Sequence, residues 1–273
     1  MRALYLFINS RSKNVEEVST SKYHDNHFFG MYRLKKYVVD ASFLELENTF
    51  PKSIAKFLRR HLSMHFVHAP LLLFMYKYDV LLTSSSFGTL LLRKIFHLRP
   101  KKVVLFDYNL SGQLGDIKTF REKVFKWVVD GVDGFITLSA EEAEAMKELY
   151  PKKKDNIVFF PFACDYSYYK PVEGVGEEDS ILSLCRDPGR DLKTLFQAVS
   201  GTGILTKVTG KQSQFETAGD IPKEVEKCDF TTKELLEEYT KAKVIVLPLA
   251  PKHPNNSMGC SSLVEAMSMG KAI

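Results

Sequence analysis

Cysteine is scarce and scattered in this chain. Four cysteines stand among 273 residues, at Cys164, Cys185, Cys228 and Cys260, and no two form a C-x-x-C pair. That excludes a disulfide framework and indicates no metal site, and it sets a reducing, cytoplasmic environment as the expectation. Long apolar runs are missing as well. Arg2 is followed by six apolar residues, Ala3 to Ile8, too few for a secretory signal and well suited to a first buried strand. Residues 62–76 lack Lys, Arg, Asp and Glu. They fall short of the roughly twenty residues that cross a bilayer, and two histidines and a proline interrupt them. A large excess of one charge is absent too: 38 Lys and Arg against 33 Asp and Glu leave +5 at pH 7. Such a mild balance suits an anionic small molecule or an anionic membrane face. With no zinc-finger spacing or aromatic–basic RNA motif, it excludes nucleic acid as a partner.

What is present is an ordinary globular composition, 45% hydrophobic and 26% charged, arranged as short apolar runs alternating with helical patterns. Strands are predicted at 3–8, 41–46, 80–84, 103–106, 134–138 and 157–161, with helices at 28–37, 53–67, 88–96, 119–129 and 140–150. Ser139-Ala-Glu-Glu142 spells a capping box at the start of the last helix. A second series follows: strands 181–184, 205–209 and 244–247, a strand or turn near 227–230, and helices 191–198, 232–241 and 262–269. This β-then-α order predicts parallel sheets with helices on both faces. The expected division is an N-terminal acceptor-side domain over 1–165, a glycine-rich acidic linker over 166–179 and a C-terminal domain over 180–273. Residues 271–273 begin one more strand, so the second domain is expected to be incomplete, truncated at its C-terminus.

The end of the chain, Ser257-Met-Gly-Cys-Ser-Ser-Leu-Val-Glu265 onwards, leads a glycine and small hydroxyl residues straight into a helix. Free N–H groups and the positive end of the helix dipole make Gly259, Cys260, Ser261 and Ser262 a candidate phosphate cradle. Glu265 stands one turn after Ser262, on the same face. An ordinary capped helix fits these residues equally well.

Four segments in order resemble the family-4 glycosyltransferases of the GT-B fold. They are Phe159-Phe-Pro-Phe-Ala-Cys-Asp165; Leu182-Ser-Leu-Cys-Arg186 with Arg190-Asp-Leu-Lys-Thr-Leu-Phe-Gln-Ala198; the helix–strand unit from Glu234 to Val246-Leu-Pro248; and Leu263-Val-Glu-Ala-Met-Ser-Met-Gly-Lys271. The resemblance is good from Val129 to Ile273 and weak before that. It departs from the family at Ser257, where the first glutamate of a Glu-x7-Glu motif is usual, and at Cys185, where glycine is usual. It implies an α/β GT-B architecture, two Rossmann-like domains facing across a cleft. The implied activity is sugar transfer, with retention, from a nucleotide-diphosphate donor to a saccharide or lipid-linked acceptor, with no cofactor.

On that reading Arg186 and Arg190 face the donor pyrophosphate, Glu265 accepts from the ribose diol, the amides of 259–262 hold the distal phosphate, and Asn256, beside Asn255, reaches sugar hydroxyls. His27, in the sequence His24-Asp25-Asn26-His27, is the acceptor-side candidate, as an orienting group or a base. Residues 1–273 alone are expected to bind donor weakly or not at all. A nucleotide-sugar epimerase of the same fold and a non-catalytic nucleotide- or saccharide-binding relative remain as alternatives. Finally, Ile54, Phe57, Leu58, Leu62 and Phe66 form a helical stripe, with Lys56, Arg59 and Arg60 largely away from it. A basic amphipathic helix of that kind rests on an anionic membrane leaflet or, equally in keeping with the pattern, faces a core.

Overall fold

Along β1 (Arg2–Leu6), Leu4 and Leu6 face one side and Ala3 and Tyr5 the other, and all four are buried. A strand buried on both faces belongs inside a covered parallel sheet. The computed structural model describes residues 1–20, 22–98, 100, 102–115, 117–187, 189–250 and 258–273. They form two units: 1–20 with 27–161, and 22–26 with 162–273.

In the first unit β1 is followed by α1 (Ser12–Ser19), β2 (Asp40–Phe43), α2 (Leu46–Thr49), α3 (Lys52–His61), β3 (Val80–Thr83) and α4 (Phe87–Ile95). Next come β4 (Lys102–Asp107), α5 (Leu110–Leu114), α6 (Phe120–Asp130), β5 (Gly134–Thr137), α7 (Ala140–Leu149) and β6 (Ile157–Phe159). The six strands are parallel in the order β2-β1-β3-β4-β5-β6. One face is sealed by a core that includes Leu4, Leu6, Leu81, Leu105, Phe135 and Met146, and the other by Tyr5, Phe7, Phe28, Met31 and Phe106.

The second unit runs β7 (Ser180–Leu184), α8 (Leu192–Val199), β8 (Leu205–Thr209), α9 (Gln212–Ala218) and β9 (Val225–Cys228). It continues with α10 (Thr232–Lys241), β10 (Val244–Ile245) and α11 (Cys260–Ser268). Its parallel order is β10-β7-β8-β9, and Ala272 adds a single parallel bridge to Val244. Leu182, Tyr239, Ile245 and Ala266 pack on one side of this sheet, Cys185, Leu195, Phe196 and Val208 on the other. Tyr169, within the stretch read as a linker, is buried in the first of these cores. In each sheet the connections reverse direction once, between β1 and β3 and between β7 and β10. Ligands of open α/β sheets bind outside the carboxyl ends of the strands at such reversals.

Several local readings are corrected. Residues 28–37 form 3-10 turns, Asn26–Phe28 and Met31–Tyr37, rather than one α-helix. Phe29 and Gly30 both take left-handed backbone (φ 49 and 73), which breaks the α ladder between them. The helix expected over 53–67 stops at His61. The chain then turns so that Phe66 lies over Gly88 of α4, where a Cβ would come within 2.5 Å of the ring. At Ser139 only half a capping box forms. The serine Oγ accepts the Glu142 N–H, but the Glu142 carboxylate is buried and takes the N–H and hydroxyl of Ser111 instead. A complete box forms at Thr119–Glu122, which had not been read. The short helices α1, α2, α5 and α9 and the 3-10 segment Ala69–Lys77 were also not anticipated.

Candidate functional site

At the reversal of the second sheet, the segment after β7 and the segment after β10 are clasped together. Arg190 and Leu249 form an antiparallel bridge, the Asp191 N–H donates to the Pro248 carbonyl at 2.9 Å, and the Ala250 N–H donates to Gly189 at 2.9 Å. This fixes the backbone on both sides of Arg190. Its side chain is 1% exposed, and its one ion pair among the described residues is a 3.1 Å contact from Nη2 to Asp187. Nε and Nη1 are buried without a hydrogen-bond partner among the described residues. Burying a cation with donors left over is costly, and native proteins rarely do it without a purpose.

The guanidinium abuts Gly259, the residue capping α11. A Cβ built there would lie 3.2 Å from Arg190 Nη1, and the backbone is left-handed at φ 84, so glycine meets both demands. The first turn of α11 leaves the N–H groups of Cys260, Ser261 and Ser262 without intrahelical acceptors, at the positive end of the dipole. The helix is nine residues long and carries no acid in its first turn and no side-chain cap.

Arg186, by contrast, is exposed and pairs with Asp229. It stands at the junction of two cavities. One, about 200 Å³, is lined by Leu184, Arg186, Asp187, Thr209, Phe230, Leu235, Ser261 and Ser262. The other, about 430 Å³, is lined by Arg186, Gly210, Lys211, Lys227, Cys228 and Asp229. Arg186, Ser261 and Ser262 are therefore brought together, with Arg190 and Gly259 joined through their own contact. Lys211 and Lys227 were missed. Both lie on the carboxyl side of the sheet, at the start of α9 and within β9, and the only signal was their place after and along an apolar strand.

Glu265 is not on the wall of either cavity. Its Oε2 accepts from the Tyr239 hydroxyl at 3.1 Å, and Tyr169 adds a second hydrogen bond. Burial pushes its carboxyl up to about 7 against the hydrogen bonds of both tyrosines, which pull it down. Asn256, with Ser257 and Asn255, lies outside the described residues.

In the first unit the corresponding reversal is held by buried polar side chains. Beneath it His68 Nε2 donates to the Phe7 carbonyl at 3.0 Å, and its Nδ1 accepts from Ser86 Oγ at 2.7 Å. Burial, with a smaller push from Arg59, lowers the His68 imidazole to about 4, which keeps it neutral. Glu45, 1% exposed, takes the Arg11 and Ser12 N–H groups and the hydroxyls of Ser10 and Ser12. Arg11, at the end of that loop, lies near both His27 and Tyr108. His27 keeps an exposed edge, and the protein around the ring together with the Arg11 charge pushes its pKa below the ordinary value. It is a neutral, weakly basic imidazole. His24 belongs to the second unit and is enclosed by Tyr23, Tyr168 and Tyr169.

No family model and no curated protein matches the chain. Solved structures do. Anabaena HepE in complex with UDP and glucose superposes with a TM-score of 0.60 at 12% identity, covering 99% of this chain and 79% of that one. Sucrose-phosphate synthase from Thermosynechococcus elongatus gives 0.57 at 14% identity, with 99% and 79% covered. The S. aureus MnaA–UDP structure gives 0.51 at 11%, with 89% and 73% covered. The protein thus has the α/β architecture of the GT-B type, built of two Rossmann-like units with parallel sheets.

Proposed function

We propose that this chain is a glycosyltransferase that uses a nucleotide-diphosphate sugar. One observation carries the reading: the buried Arg190 guanidinium, with two N–H-bearing nitrogens unpartnered among the described residues, held against the N-terminus of α11. A pyrophosphate placed there would meet a fixed cation and the amides of 260–262, in a site where part of the desolvation cost is already met. Arg186 supplies a second cation from the adjoining cavity, at the cost of its pairing with Asp229. Glu265, steadied by Tyr239 and Tyr169, is assigned to the ribose hydroxyls, and Asn256 to the sugar. HepE and MnaA share the fold and carry UDP in their structures, which makes a uridine nucleotide the first to try.

The acceptor, a saccharide or a lipid-linked saccharide, is assigned to the carboxyl edge of the first sheet, near His27, Arg11 and Tyr108. A weakly basic His27 suits orienting an acceptor hydroxyl better than removing its proton. This agrees with transfer by retention, in which the departing phosphate oxygen takes that proton. No cofactor enters the scheme.

Incubating the enzyme with labelled UDP-, GDP- and ADP-sugars and analysing both nucleotide and sugar products tests it. Release of the nucleoside diphosphate with sugar transfer or slow hydrolysis is the expected result. An isomerised donor would identify an epimerase instead, and tight binding without turnover a non-catalytic relative. Failure of every nucleoside diphosphate to bind would remove the donor site itself.

A further inference from the structure

The outer face of α3 is amphipathic in an unusual direction. Ala55 is buried and Leu58 and Arg59 are half-buried, with Arg59 paired to Glu47, so these residues define the inward side. Ile54, Phe57 and His61, spaced three and four apart, therefore share one flank of the solvent face, with the Phe57 and His61 rings 4.5 Å apart. Lys52, Lys56 and Arg60, each four apart, share the other, and all three are exposed. Phe57 is 62% exposed. The 3-10 segment Ala69–Lys77 adds a second outward apolar set: Leu71 and Met75 turn inward, while Leu73 is 82% and Tyr76 68% exposed. Phe74 of this segment meets Phe50, in the turn between α2 and α3, edge-on at 6.1 Å. The segment that leads into α3 thus packs on the Ala69–Lys77 segment.

The charge pattern names the occupant. Residues 50–78 carry five Lys and Arg and no Asp or Glu. Exposed rings and aliphatic side chains flanked by Lys52, Lys56 and Arg60 complement a layer that is apolar inside and anionic at its surface. We infer that α3 and the Ala69–Lys77 segment form a docking surface for an anionic lipid bilayer. Phe57, Leu73 and Tyr76 enter the headgroup boundary, and Lys52, Lys56 and Arg60 engage the lipid phosphates. The surface belongs to the first unit and stands apart from the donor reading, which neither supports nor requires it.

Flotation of the purified chain with phosphatidylcholine vesicles, with and without phosphatidylglycerol, tests the inference. Binding is expected only to the anionic vesicles, and it should fall with added salt. The pair Phe57→Ser and Leu73→Ser should weaken it about tenfold or more, as should Lys56→Glu with Arg60→Glu. All four side chains are exposed or helix-borne on the solvent side, and circular dichroism checks that the folds are unchanged. Phe120→Ser, which removes an even more exposed ring from α6, should leave binding intact. Equal binding to neutral vesicles, no binding to either, or indifference to the paired variants would overturn the inference. So would a native chain that is dimeric by size exclusion and made monomeric by Phe57→Ser, since a second copy would then be the occupant.

Discussion

Arg190→Met should raise the melting temperature and, in the same protein, weaken nucleoside diphosphate binding. The two effects share a cause. Among the described residues the guanidinium is buried with two nitrogens unpartnered and one exposed aspartate as its counter-charge. Methionine keeps the packing of the stem and removes the charge and the orphan donors, which are worth about 1–3 kcal/mol. For a chain of this size that is a gain of roughly 2–4 °C per kcal/mol. With pyrophosphate bound, those same nitrogens are expected to make charge-assisted hydrogen bonds of about 1.5–3 kcal/mol, so the variant should bind ten- to a hundredfold more weakly. Thermal melts and calorimetric titration read the two quantities separately. An arginine that serves only the fold would show the opposite pattern, a lower melting temperature with binding untouched.

Glu265→Gln should show a stability difference that depends on pH. The folded carboxyl titrates near 7, raised by burial from 4.5. The folded state therefore holds its proton more tightly than the unfolded chain. The stabilisation this gives is complete below about pH 4.5 and is lost as pH rises through 7. Glutamine keeps the size and an acceptor for Tyr239 but does not titrate. Variant and native should melt alike at pH 4–5, and by pH 8 the variant should be the more stable by about 3 kcal/mol. Donor affinity should move the other way at neutral pH, with a smaller effect on the chemical step. A difference constant across this pH range would show that the carboxyl is not held in a desolvated position.

Most strands were legible from sequence because they are short β-branched or aliphatic runs, such as Val103–Leu105 or Ile181–Leu184, while β9, Val-Glu-Lys-Cys, lacks such a run and was left between strand and turn. Helices with hydroxyl or acidic starts, such as Thr232–Lys241, were legible too. What escaped was structure decided by distant contacts. The helical pattern over 53–67 is real, but Phe66 gains more from lying over Gly88 than from continuing the helix. Ser139 and Glu142 spell a capping box, yet Ser111, from another element, claims the glutamate. In the site, Arg186, Arg190 and the start of α11 were readable because a strand end and a helix start mark them. The pairing of Glu265 with Tyr169 and Tyr239 was not, because these residues stand 96 and 26 positions away in the chain. Nor could composition say which face of α3 is turned outward: that depends on Ala55, a residue too small to register in a hydrophobic stripe.

The loop after β1 has a property that follows from how it is held. Four donors from Ser10, Arg11 and Ser12 end on one buried carboxylate, Glu45, and Asn48 braces the Ser12 hydroxyl from α2 at 2.7 Å. Glu45 is buried, so withdrawing any one donor leaves its carboxylate short of a partner at a cost of about 1–3 kcal/mol. A substitution at Ser10 or Ser12 should therefore be felt along the whole segment, the amides of Arg11 and Ser12 included, because all four donors share one carboxylate. Arg11, near His27, is positioned by the same carboxylate.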